Sequence, residues 1–89
     1  MNWTIEYDPR AVQDLKKLDH SVRREIVDYM DSRSATDDDP RRFGKPLRGS
    51  KFGLWRYRVR DYRIICELQD QRLVVLVVAV GHRSAVYEN

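Results

Sequence analysis

The sequence predicts an α+β fold in the order β-α-α-β-β-β, with a helix hairpin on one face of a mostly antiparallel four-stranded sheet. Two observations carry this expectation. Apolar residues recur at helical spacing between Pro9 and Met30, and the period changes to two after Gly53. The last three strands are then joined by connections so short that they must form an antiparallel meander. No repeat, low-complexity stretch or linker divides the 89 residues, so 1–89 reads as one domain.

Each element has its own signal. Trp3 to Tyr7, WTIEY, alternates and is rich in strand formers. Asp8-Pro9 supplies an N-cap and a proline at the first helical position, and Ala11, Val12, Leu15 and Leu18 mark one helical face. Asp19-His20 interrupts it. Ser21 can cap a second helix, whose apolar stripe is Val22, Ile26, Val27, Tyr29 and Met30. Ser34 to Pro40 reads as loop, and Arg41 to Lys51 as loop with one helical turn. The meander strands are expected at Leu54–Val59, Tyr62–Gln69 and Arg72–Val80. The last, containing LVVLVVAV, belongs inside the sheet with both faces covered.

Composition excludes several function classes. No apolar run reaches the eighteen or so residues of a membrane helix, and MNWTIEYDPR lacks the apolar centre of a signal peptide, so a cytoplasmic protein is expected. The single Cys66 cannot form an internal disulfide and falls on the core side of its strand, where an inert buried thiol is expected. His20 and His82 are far apart in sequence and there is no CxxC or HExxH, so no metal site is expected; GKPLRGSK lacks the Walker A spacing.

Net charge is only +3, but it is segregated. Residues 1–40 carry −4, residues 41–63 carry +8 and residues 64–89 carry −1. A local block of this kind reads as a polyanion site, most often for nucleic acid. Within it, Arg41, Arg42, Lys45, Arg48 and Lys51 are candidate RNA-binding residues.

If Arg60-Asp61 form the hairpin turn, Val59 faces Tyr62, Arg58 faces Arg63, Tyr57 faces Ile64 and Trp55 faces Cys66. Trp55, Tyr57, Val59, Tyr62, Ile64, Cys66 and Leu68 then share one face, and Arg56, Arg58, Arg63, Ile65 and Glu67 the other. A slip by one residue would bury the arginines. Two facing arginines cost up to about 1 kcal/mol in an isolated sheet, and a bound phosphate reverses that sign. The alternative reading is that the arginines guard an edge strand against aggregation. Gly81-His82-Arg83 and Tyr87 close the chain at the rim of the sheet.

The string GLWRYRVRDYRIICEL, followed by a hydrophobic strand and VGHRSAVY, resembles the RelE-type toxins of bacterial and archaeal toxin–antitoxin pairs. WTIEY, a helix ending in KKL and the PLRGS element agree, so the resemblance spans nearly the whole chain. ParE gyrase poisons are similar in fold but usually lack the terminal HRxxVY arrangement. The resemblance implies a RelE-like fold and a toxin that enters the ribosomal A site and cuts mRNA without metal or other cofactor. In that chemistry the ribose 2′-hydroxyl attacks the adjacent phosphate. By the same resemblance, Arg56 and Arg58 help orient the 2′-hydroxyl and hold phosphate, Arg63 stabilises the pentacovalent charge, and Arg83 binds phosphate or the leaving group. Tyr87 matches a tyrosine proposed as general base.

One departure bears on mechanism. Well-known members carry lysines where this chain has Arg56 and Arg58, and arginine stays protonated, so neither can be a base. Proton transfer then falls to Tyr87 or His82. The resemblance also implies a RelB-like antitoxin, acidic and folding on binding, whose complex with the toxin binds operator DNA. The rival functions are a ParE-like topoisomerase poison and a non-catalytic RNA-binding module.

Overall fold

The structure, a computed structural model, describes residues 3–34, 38–49 and 53–82. Its strands are β1 (Thr4–Tyr7), β2 (Lys45–Pro46), β3 (Trp55–Val59), β4 (Tyr62–Gln69) and β5 (Val74–His82); its helices are α1 (Pro9–Lys16) and α2 (His20–Ser34). They form two helices packed on a mixed sheet of order β1-β5-β4-β3-β2, in which only β1 and β5 run parallel. The sheet therefore has five strands rather than four. The extra one comes from the segment expected as loop, which divides into a 3₁₀ turn at Pro40–Phe43 and the two-residue β2. So short a strand has no periodicity of its own to detect. It exists because β3 offers it an edge.

Local chemistry accounts for the helices. The Asp8 carboxylate accepts from the Arg10 amide at 3.0 Å, capping α1, and Pro9 occupies its first turn. In α2 the helix starts one residue before Ser21, whose hydroxyl donates to Asp19 at 3.4 Å instead of capping. Ala11, Leu15, Ile26 and Met30 are buried against Tyr57, Val59, Ile64, Cys66, Val75, Val77 and Val80. Each large apolar side chain so buried stabilises the fold by roughly 1.5–3 kcal/mol. Val12, expected on the packed face of α1, is exposed.

The β3–β4 register is the one that the turn at Arg60-Asp61 implies: Trp55 faces Cys66, Tyr57 faces Ile64, Arg58 faces Arg63 and Val59 faces Tyr62. Of the two turn residues only Arg60 has a positive φ, 55°. That is the pattern of a type II′ turn, whose first position normally falls to glycine. Cys66 is fully buried, and burial pushes its thiol pKa up, so it is held neutral.

β5 lies inside the sheet as expected, but starts and ends two residues later than the sequence suggests. A bulge sits on it: Ile65 pairs with Ala79 and Cys66 with Val77, leaving Val78 as the extra residue. Alternation changes phase there. Val75 and Val77 face the helices before the bulge, and Val80 does so after it. Among the described residues the far face carries a small cluster in which Leu47, Ile65 and Ala79 are buried and Leu54 and Val78 pack alongside. Both helices lie on the other side.

The turn can be tested directly. Arg60→Val should cost about 1–2 kcal/mol in urea unfolding, because a β-branched residue tolerates positive φ poorly. Arg60→Gly should match or slightly exceed the parent, since it relieves that strain and loses only an exposed ion pair with Glu25.

Candidate nucleic-acid interface

The arginine face is assembled by three strands. Arg58 lies directly opposite Arg63, and Lys45 of β2 lies directly opposite Arg56. Pairing across the sheet puts partners on the same face, so Lys45, Arg56, Arg58 and Arg63 form one cationic surface, with Gly81 opposite Arg63 on the next strand. Among the described residues none of these four has an acidic partner. The Nε of Arg63 is buried and has no hydrogen-bond acceptor among them either. Desolvated, unanswered guanidinium groups are costly alone and strong ligands for phosphate.

Other cations of the basic block are neutralised. Arg41 grips Asp70 through both terminal nitrogens, at 3.1 and 2.8 Å, and also contacts Asp39 at 3.3 Å. Arg42 pairs with Asp38 at 2.9 Å, and Arg60 with Glu25 at 2.8 Å. Arg41 and Arg42 are thus held by carboxylates, whereas Lys45 and Arg48 are exposed with no such partner among the described residues. Lys51, Arg83 and Tyr87 lie outside the described residues.

The Arg41–Asp70 fork is one of several contacts that fasten the 3₁₀ turn to the sheet. The buried Tyr57 hydroxyl donates to the Pro40 carbonyl at 2.8 Å, and burial raises its pKa, keeping it a donor. The Tyr29 hydroxyl donates to the Phe43 carbonyl at 3.4 Å, and the Arg33 guanidinium lies 4.5 Å from the Tyr29 ring centre and 4.7 Å from that of Phe43. At Gly44 the chain passes so close to β3 that a Cβ would meet the Arg56 carbonyl oxygen and, at 2.9 Å, the rings of Trp55 and Tyr57. These contacts hold Lys45 in register with Arg56. Sequence reading missed them, since Asp70 lies 29 positions from Arg41 and Tyr57 counts only as a core aromatic.

His82 stands apart from the arginines. It pairs with Tyr62, and the two rings meet edge to face with centroids 5.6 Å apart. Tyr62 packs with the helix-side core, so His82 lies on that side of the sheet rim and Arg63 on the other. The Val78 bulge is the cause: without its phase change the residue at 82 would share the arginine face. Beyond the end of β1, the Asp14 carboxylate accepts from the Val80 amide at 2.9 Å and secures this last stretch of β5. Among the described residues no three His, Cys, Asp or Glu side chains converge as metal ligands, and no helix is long and apolar enough to cross a membrane.

Two helices packed on a mixed five-stranded sheet are shared with a class of toxins. The model of the family "ParE toxin of type II toxin-antitoxin system, parDE" matches residues 5–87, so the chain belongs to the RelE/ParE toxin superfamily. Within it the chain is similar to Toxin RelG of Mycobacterium tuberculosis, with 29% identity over 98% of both chains. It is also similar to the mRNA interferase toxin RelE of Escherichia coli K12, with 30% identity over 98% of this chain and 92% of that one. A chain of the toxin-antitoxin complex RelBE2 from M. tuberculosis superposes with a TM-score of 0.81 at 28% identity, covering 94% of each. The protein is a RelE-type toxin of a type II toxin–antitoxin system.

Two outcomes test the anchoring. Gly44→Ala should cost about 1–3 kcal/mol, the range for an overpacked site, read by denaturant unfolding. The Arg41 fork holds the Asp70 carboxyl below the usual carboxylate range. Its contribution is therefore complete above about pH 4 and is lost as pH falls through the lowered native value. The protection of the amides at residues 41–43, their exchange measured against the intrinsic rate at each pH, should fall on acidification across that window, and Asp70→Asn should show the lower protection at neutral pH already.

Proposed function

We propose that this toxin is a metal-independent endoribonuclease that cuts mRNA in the ribosomal A site. The carrying observation is the surface of Lys45, Arg56, Arg58 and Arg63, four cations on one face with no acidic partner among the described residues. The similarity to a relative named mRNA interferase supports the same reading. In the proposed reaction a ribose 2′-oxygen bonds to the adjacent phosphorus and the bond to the 5′-oxygen breaks. The products are a 2′,3′-cyclic phosphate and a 5′-hydroxyl. The 2′-hydroxyl proton passes to a base, and the departing 5′-oxygen takes up a proton.

Arg56 and Arg58 hold the phosphate and orient the 2′-hydroxyl, Arg63 stabilises the dianionic phosphorane, and Arg83 serves the phosphate or leaving group. Each well-placed donor contributes roughly 3 kcal/mol to the transition state. With arginine unable to act as base, the proton goes to Tyr87. The position of His82, across the sheet rim against Tyr62, argues for that choice. The ribosome supplies the orientation of the mRNA that so sparse a set of groups lacks. A RelB-like acidic antitoxin folds over the toxin and silences it, and their complex binds operator DNA. A topoisomerase poison is the second reading, favoured by the ParE description of the matching family.

Mapping RNA 5′ ends in a translation extract decides between them. New ends within codons of stalled ribosomes support the nuclease; DNA breaks or lost supercoiling without RNA ends support the poison. Arg63→Ala should lose at least a hundredfold in single-turnover cleavage while retaining or slightly gaining stability, because it removes a like-charge pair. Tyr87→Phe should cost roughly 10²–10⁴-fold, and His82→Gln less than about tenfold, or 1.4 kcal/mol. The reverse ranking would transfer the base to His82.

A further inference from the structure

Beside the arginine face, at the open edge of β3, lies a groove of about 270 Å³. It exists because β2 is short. The Leu47 amide donates to the Leu54 carbonyl at 2.9 Å, which makes 47 and 54 a hydrogen-bonded pair. Antiparallel alternation makes 45 and 56 the next such pair, and 43 and 58 would be the one after. That last pair does not form. Residue 43 ends the 3₁₀ turn, its carbonyl accepts from Tyr29, and β2 begins only at Lys45. The Arg58 N–H and C=O therefore point outward at an empty rung, between Phe43, Gly44 and Lys45 on one side and Arg56 on the other.

Resting on the nuclease reading, we infer that this groove receives an unpaired nucleotide flanking the scissile phosphate. Its base edge bonds the Arg58 main chain, and its phosphate lies against Lys45 and Arg56. An added peptide strand fits less well. β3 ends at Val59 and turns at Arg60, so a peptide would find this one rung open and would otherwise meet cations. A nucleotide needs one donor and one acceptor for its base and positive charge for its phosphate, and the groove has both. Single-stranded RNA is characteristically read in this way, base by base along exposed edges. The nucleotide in the groove would fix the strand's register on the Arg58–Arg63 pair, so the subsite would align the reacting phosphate as well as add affinity.

Photo-crosslinking tests this. mRNAs carrying 4-thiouridine one nucleotide to either side of the cleaved bond, with a 2′-deoxy sugar at the cleaved position, are irradiated on ribosomes with the purified toxin. All-ribose RNA is cut in parallel. The expected result is an adduct at residues 42–45 or 57–58 from one flanking position, reduced at least tenfold by Lys45→Glu and retained in Lys45→Arg. Adducts confined to other parts of the chain, or none while the all-ribose RNA is cut, overturn the subsite and leave the nuclease reading intact. An adduct in the groove with no cutting of the all-ribose RNA shows a bound nucleotide but removes the nuclease reading, and with it the subsite's place beside a scissile phosphate. Missing adducts, with residues 57–59 protected from amide exchange by the purified cognate antitoxin, would give the groove to a protein strand and overturn the inference.

Discussion

The two-residue connection at Arg60-Asp61 is the constraint from which the site follows. By placing Val59 opposite Tyr62, it commits every other residue of both strands to a face. Tyr57, Ile64 and Cys66 go to the helix side and are buried, while Arg56, Arg58 and Arg63 go to the opposite surface. Packing enforces the arrangement, because a slip by one residue would place guanidinium groups among Ile26, Met30 and Leu15. The repulsion between Arg58 and Arg63 is thus tolerated by a core that cannot re-register. A cationic surface held in this way is stabilised by binding an anion.

Charge within the basic block is apportioned rather than pooled. Arg41, Arg42 and Arg60 are each answered by a carboxylate, and the first two help fasten the 3₁₀ turn and its flank. Lys45, Arg56, Arg58 and Arg63 have no such answer among the described residues. The division has a mechanical logic. The fastened segment keeps β2 against β3, and β2 in turn brings Lys45 to the face on which the arginines stand. The cations that look equivalent in composition therefore do two jobs, anchoring and presenting charge.

The Val78 bulge has the opposite effect on the last strand. One extra residue reverses which side chains of β5 face the helices, so His82 joins Tyr62 while Gly81, with no side chain, lies against Arg63. The imidazole, which sequence reading places at the rim without a side, is moved away from the cationic face.

The amino-acid sequence by itself determined the α+β class, both helices, the hairpin register and the face shared by Arg56, Arg58 and Arg63. These are consequences of periodicity and short-range geometry, which a strand or helix expresses within its own residues. Tertiary structure alone decided the fifth strand, the side on which His82 lies and the pairing of Arg41 with Asp70. A two-residue strand exists only as the partner of another edge, and a bulge changes phase without altering the apolar run LVVLVVAV that contains it. An ion pair across 29 positions depends on where the 3₁₀ turn and the β4–β5 connection meet in space. Such contacts are properties of the assembled sheet, and no local pattern carries them.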